Sequence, residues 1–87
     1  MYFVYILFSH KDGKLYIGYT EDIENRFALH TNGRVISTKN RRPLELIYYE
    51  AYRNQTDAKK REVFLKSGSG HKFINNQMPN HLKELHA

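Results

Sequence analysis

Two short runs rich in aromatic and β-branched residues, 2–8 and 15–19, flank the segment Ser9-His10-Lys11-Asp12-Gly13. Residues of this kind pack well on a pleated surface, and Asp-Gly is a turn signal, so the two runs read as a β-hairpin. Nothing else in the chain constrains the fold as strongly. The hairpin begins a sheet and sets Tyr5 and Tyr16 on neighbouring strands. Most strand tyrosines simply fill a sheet face. Here, however, Arg26 and His30 follow, one helical turn apart, and Tyr, Arg and His together supply a proton acceptor, a fixed positive charge and a second proton-transfer group. Those are the groups that breaking a phosphodiester needs.

The rest must share one scaffold. Eighty-seven residues with 40% hydrophobic content make one small domain, with a core over about residues 2–76 and a C-terminal tail over 77–87, and leave no room for a separate binding module. With no cysteine, neither disulfides nor a thiolate zinc site holds the fold together. The apolar run at residues 2–8 is too short to span a bilayer and lacks the leader and cleavage site of a signal peptide. A cytoplasmic location without a membrane partner is therefore the default expectation. The net charge of +5 and a pI near 9.6 favour polyanionic partners such as nucleic acid without establishing them.

Thr20 reads as an N-cap, and Glu21, Asp22 and Glu24 suit the positive end of a helix that runs to about Thr31 and stops at Asn32-Gly33. Ile23, Phe27 and His30 form its inward stripe, with Arg26 on the same flank as His30. Residues 34–42 carry Arg34, Lys39, Arg41 and Arg42 with no apolar period and read as a basic loop. After Pro43, residues 44–52 suggest a third strand with Leu46, Tyr48 and Tyr52 on one face and Ile47, Tyr49 and Ala51 on the other. Apolar character on both faces fits a central strand, or a strand whose tyrosine hydroxyls turn to water. Asn54-Gln55-Thr56 then starts a helix ending at Ser67-Gly68. Ala58 and Leu65 mark its inward face, and Glu62 falls between them. A carboxylate there is costly unless it is paired or bound to a cation, so Glu62 either bridges to Arg26 or ligates a metal. Residues 71–76 suggest a short helix anchored by Phe73 and Ile74. The tail beyond Pro79 reads as a frayed helix. His10, His71, His81 and His86 have no metal-like spacing.

In this order, Phe3-Val4-Tyr5, Tyr16-Ile17-Gly18, Arg26, His30 and Glu62 resemble the GIY-YIG endonuclease superfamily. Tyr5-Ile6-Leu7, Lys14-Leu15-Tyr16-Ile17-Gly18, Arg41-Arg42-Pro43 and Arg61-Glu62 followed by Leu65-Lys66 look, more narrowly, like its small stand-alone UPF0213-type members. The resemblance covers residues 2–74. It implies an α/β (α+β) fold, a three-stranded antiparallel sheet flanked by helices in the order β-β-α-β-α-(α), and a divalent-metal site that uses the glutamate. Phe3 and Val4 stand where the family name has Gly and Ile, while the third-position Tyr5 is kept. The family's late asparagine has Asn75 or Asn76 as candidate counterparts, with Asn80 a poorer third.

The resemblance implies hydrolysis of DNA phosphodiester bonds, in repair, recombination or processing. Glu62 would hold one Mg²⁺ or Mn²⁺, for which one carboxylate plus waters is sufficient. Tyr5 or Tyr16 would accept the proton of the attacking water. Arg26 would clamp the scissile phosphate, and His30 would relay a proton or position a tyrosine. Gly18 would let backbone approach the site closely, with Asn75 in support. Arg34, Lys39, Arg41 and Arg42 would track DNA phosphates, giving salt-sensitive binding with little sequence preference. The alternative is a nucleic-acid-binding module of the same fold without independent cleavage. A third reading is a globular α/β protein with an internal Arg26–Glu62 salt bridge and no nucleic-acid role.

Overall fold

The computed structural model describes residues 1–87. Strands β1 (Tyr2–Ser9) and β2 (Leu15–Thr20) form the hairpin, α1 (Ile23–Thr31) follows, and a single 3₁₀ turn at Lys39–Arg41 interrupts the basic segment. Strand β3 (Leu44–Tyr52) then leads into helices α2 (Gln55–Lys66), α3 (Gly68–Gln77) and α4 (Pro79–Leu85). The sheet order is β2-β1-β3 and both pairings are antiparallel. The architecture is therefore the expected three-stranded antiparallel sheet flanked by helices.

Register explains how a small sheet serves two purposes. Val4 and Ile6 of β1 point to the same side as Ile17 of β2, and there they meet Ala58 and Leu65 of α2 and Ile74 of α3 in one buried cluster. Full burial of a side chain of this size contributes about 1.5–3 kcal/mol, so this cluster is the main apolar stabilisation of the chain. Phe3, Tyr5 and Leu7 alternate to the opposite side, over which α1 lies. The central strand is β1, and β3 is an edge strand. The apolar character of both β3 faces has a different origin from central burial. A bulge breaks the register between Ile6 and Leu7, so that Tyr48 pairs with Ile6 whereas Leu46 pairs with Leu7. Leu46 and Tyr48 therefore face opposite sides, and the intervening Ile47 packs against the core.

The first helix is capped two residues later than expected. Asp22, not Thr20, is the N-cap, its side chain accepting from the Asn25 amide at 3.1 Å. The Thr20 hydroxyl instead accepts from the Asp22 amide at 3.1 Å and so shapes the approach to the helix. Asn54 caps α2 by accepting from the Asp57 amide, and Ser67 both closes α2 and caps α3.

Helix α2 is fastened to β3 by Glu50. Arg61 donates to its two carboxylate oxygens at 2.8 and 3.0 Å, and the hydroxyls of Tyr48 and Tyr52 each donate at 2.7 Å. Burial opposes ionisation of Glu50, but the hydrogen bonds from Arg61, Tyr48 and Tyr52 outweigh it and hold the carboxyl below its ordinary value. Arg61 also lies 4.2 Å from the centre of the Phe73 ring, tying in α3. The segment beyond Pro79 is a formed helix rather than a frayed tail. Leu82, with Met78 at the α3–α4 junction, packs on the core, and His81 approaches Glu45 of β3 at 3.6 Å.

Candidate functional site

Tyr5 lies opposite Gly18 in the sheet, and this pairing decides where the phenol goes. A Cβ on Gly18 would stand 2.4 Å from the Tyr5 hydroxyl and 2.5 Å from the ring carbon that bears it. Only a residue without a side chain lets the ring lie across β2. Gly18 thus makes room for Tyr5. Two residues before it, Tyr16 faces the same side, its ring centre 6.3 Å from that of Tyr5.

Helix α1 brings His30 onto this pair. Its ring centre is 5.7 Å from Tyr5 and 5.1 Å from Tyr16, edge-on to both. His30 Nε2 is 2.8 Å from the Tyr5 hydroxyl, and Nδ1 is 2.7 Å from Thr38 Oγ1. His30 and Thr38 are wholly buried and Tyr5 is 2% exposed, whereas Tyr16 is only half-buried. Tyr16 is thus the member of the cluster that reaches solvent.

Charge acts on this cluster from two sides. Burial raises the pKa of Tyr5 well above its ordinary 10.0, the charge that Tyr16 takes on ionising raises it further, and Arg26 pulls it back down. The carboxylate of Glu62 also raises it, so α2 contributes to the potential at Tyr5. His30 is held below its ordinary 6.5, first by burial and then by the nearby Arg26 charge. At neutral pH its ring is uncharged.

Arg26 and Glu62 are not joined by a salt bridge. Glu62 instead meets Lys66, one turn along α2, at 3.2 Å. The Glu62 side chain keeps 21% of its surface exposed and Lys66 keeps 56%, so the pair sits at the rim of the inward face and is easily exchanged for another partner. This removes the internal Arg26–Glu62 bridge on which a purely structural reading depended. No group of three or more His, Cys, Asp or Glu side chains is placed to hold a metal ion. A cation here would find one protein carboxylate, Glu62, a hard oxygen donor of the kind that Mg²⁺ or Mn²⁺ takes along with several waters.

The four basic residues expected to form one surface divide into two kinds. Arg41 is committed internally, its Nε 2.7 Å from Asp12 and its Nη2 donating to Asp12 and to the Leu15 carbonyl. Arg42 donates to the carbonyls of Lys39 and Thr31, and its guanidinium lies over Gly33, whose φ of 74° and lack of Cβ make that approach possible. Lys39 and Arg34 are exposed. A groove of about 530 Å³ is lined by Lys11, Lys39 and Arg42, with Thr31, Asn40, Pro43 and Leu44. It carries three cations and no carboxylate. Because Thr31 and Lys39 directly follow His30 and Thr38, the groove borders the buried cluster. Asn75 and Asn76 are exposed on α3, and neither makes a side-chain hydrogen bond to the cluster.

Two residues of this arrangement escaped the sequence reading. Thr38 sits in a stretch with no period, eight positions from the histidine it touches, and no local pattern announces it. Lys11 was hidden in the hairpin turn. Its only signal was positive charge near a turn that folds back towards Arg41 and Pro43.

A sheet presenting Tyr5 and Tyr16 to a helix that bears Arg26 and His30, with Glu62 supplied by a second helix, is the layout of one nuclease class. The family model described as the GIY-YIG catalytic domain matches residues 1–75, and the chain belongs to this family. It is similar to a UPF0213 protein of Staphylococcus saprophyticus, 43% identical over 74 residues that cover 84% of this chain and 89% of that protein. A UPF0213 protein of Staphylococcus epidermidis is 45% identical over 67 residues, covering 76% of this chain and 80% of its own. One of Clostridium perfringens is 40% identical over 67 residues, covering 76% and 71%. No solved structure matches.

Proposed function

We propose that the protein is a metal-dependent endonuclease that hydrolyses DNA phosphodiester bonds. The observation that carries this reading is the convergence of Tyr16, Tyr5 and His30, whose ring centres lie 5.1–6.3 Å apart, with Arg26 and Glu62 both acting on the Tyr5 hydroxyl. A sheet face packed only for stability has no use for opposed charges around a buried phenol.

The roles follow from exposure. Tyr16 reaches solvent and takes the proton of the attacking water. Tyr5 stands behind it, holding its own proton, and stabilises the oxygen of Tyr16 by hydrogen bonding. Arg26 neutralises charge that develops on the nonbridging phosphate oxygens. His30, uncharged, holds Tyr5 in place. A divalent cation, Mg²⁺ or Mn²⁺, held by Glu62 in place of Lys66 would supply Lewis-acid polarisation of the phosphate. The groove of Lys11, Lys39 and Arg42 receives the DNA backbone beside the site, and Arg34 extends that surface.

The test is to incubate the protein with branched, flapped, nicked and single-stranded DNA, with and without Mg²⁺ or Mn²⁺, alongside Glu62→Ala. The expected outcome is metal-dependent cutting that the variant loses by at least about a hundredfold. Salt-sensitive binding without cutting on any substrate would instead identify a binding module. Among single variants, Tyr16→Phe is expected to lose more activity than Tyr5→Phe.

A further inference from the structure

Thr38 has one hydroxyl proton and one place to put it. Its Oγ1 is wholly buried and 2.7 Å from His30 Nδ1, and it has no second hydrogen-bond partner. Were Nδ1 protonated, it would donate to Thr38, and the threonine proton would then be buried with no acceptor. Leaving a buried donor unsatisfied is unfavourable, and native interiors avoid it. The hydroxyl therefore donates to Nδ1. A neutral imidazole with Nδ1 as acceptor carries its single proton on Nε2, which stands 2.8 Å from the Tyr5 hydroxyl.

We infer that Thr38 is a positioning residue that locks His30 as the Nε2–H tautomer, so that His30 donates to Tyr5 and turns the Tyr5 proton towards Tyr16. The hydrogen bonds then all run one way, from Thr38 to His30, from His30 to Tyr5, and from Tyr5 towards Tyr16. Tyr5 has no hydrogen-bond partner other than His30, but its end of the chain adjoins the half-buried Tyr16, with ring centres 6.3 Å apart, whereas the Thr38 end is sealed, so the surplus proton has room to turn only at Tyr5. Donors aligned head to tail polarise one another, and the benefit collects at the last acceptor. That acceptor is the half-buried phenol facing solvent. In this arrangement His30 takes no proton from Tyr5, since the nitrogen it presents is already protonated. Its part is to keep Tyr5 a donor.

The catalytic meaning rests on the nuclease reading above, but the tautomer does not. Long-range nitrogen–proton NMR on the wild-type protein at neutral pH reads it directly. The expected spectrum has a pyridine-like shift at His30 Nδ1 and a pyrrole-like shift at Nε2. The reverse pattern would overturn the inference, whether or not the protein cuts DNA. Thr38→Val removes the hydroxyl at nearly constant shape, and Thr38→Ser restores it. Valine is expected to abolish the tautomer preference and lower kcat about tenfold with little change in KM. Serine is expected to preserve both. A valine variant that keeps the wild-type tautomer, or a serine variant that loses it, would also overturn the inference. Absence of cutting by the wild type, with the expected tautomer present, would count against the nuclease reading alone.

Discussion

At the residue scale, the site depends as much on what is missing as on what is present. Gly18 was read in the sequence as a place where backbone approaches the site, and the close approach is instead made by the Tyr5 ring. A methyl at position 18 would collide with a hydroxyl that His30 holds at 2.8 Å. Gly18→Ala is expected to cost about 1–3 kcal/mol, as overpacking does. In a domain of this size each kcal/mol lowers Tm by about 4–8 °C, so thermal unfolding followed by circular dichroism gives the value. Activity is expected to fall more steeply than stability, because the displaced phenol belongs to the candidate site. Tyr5, Tyr16, Arg26 and His30 were legible in the chain because hairpin and helix periodicities place them without long-range knowledge. Thr38 was not, because it reaches His30 through an irregular segment whose path only tertiary contacts define.

At the scale of elements, helix α2 carries both the candidate cation ligand and the bond that fixes its own position. Neighbouring residues divide these tasks: Arg61 grips Glu50 of β3, and Glu62 points along the rim. The boundaries of α2 were readable from Asn54 and Ser67-Gly68. Its anchorage was not, since an arginine on a helix and a glutamate on a strand give no sign of meeting. Because the Glu50 carboxyl is held below its ordinary 4.5, it contributes stability that is fully present above that pH and lost as pH falls through the lower folded value. Glu50→Gln is expected to destabilise by about 1–3 kcal/mol at pH 7 and to flatten the decline of Tm below about pH 4.5. A variant whose acid profile parallels that of the wild type would show that other carboxylates govern the transition. The bulge in β3 was likewise beyond a strictly alternating reading, which assigned Leu46 and Tyr48 to one face.

Across the whole molecule, the excess of positive charge is real but unevenly available. Arg41 is spent on Asp12, whose carboxyl it holds well below the ordinary range through hydrogen bonding, so counting basic residues overstates the cationic surface. The groove concentrates what remains. If three cations there meet phosphates, DNA affinity should fall with salt, each phosphate contact contributing about −0.9 to the slope of log K against log salt. The double variant Lys11→Ala, Lys39→Ala is expected to lower the magnitude of that slope by about two on every DNA sequence tried, measured by fluorescence anisotropy across a salt series. An unchanged slope would place the DNA elsewhere on the protein. No helix is long and apolar enough to cross a membrane.

The central position of β1 bears on how the chain is made. In synthesis from the N-terminus, β1 meets β2 almost at once, yet its second neighbour begins only at Leu44. Until β3 and α2 have emerged from the ribosome, the most apolar strand of the protein has one bare edge and one bare face, an open template for another strand. Tyr5 can find His30 in that interval, but nothing yet covers Val4 and Ile6. The vulnerable moment in this protein's life therefore falls during translation, when its candidate site is nearly assembled and its core does not yet exist.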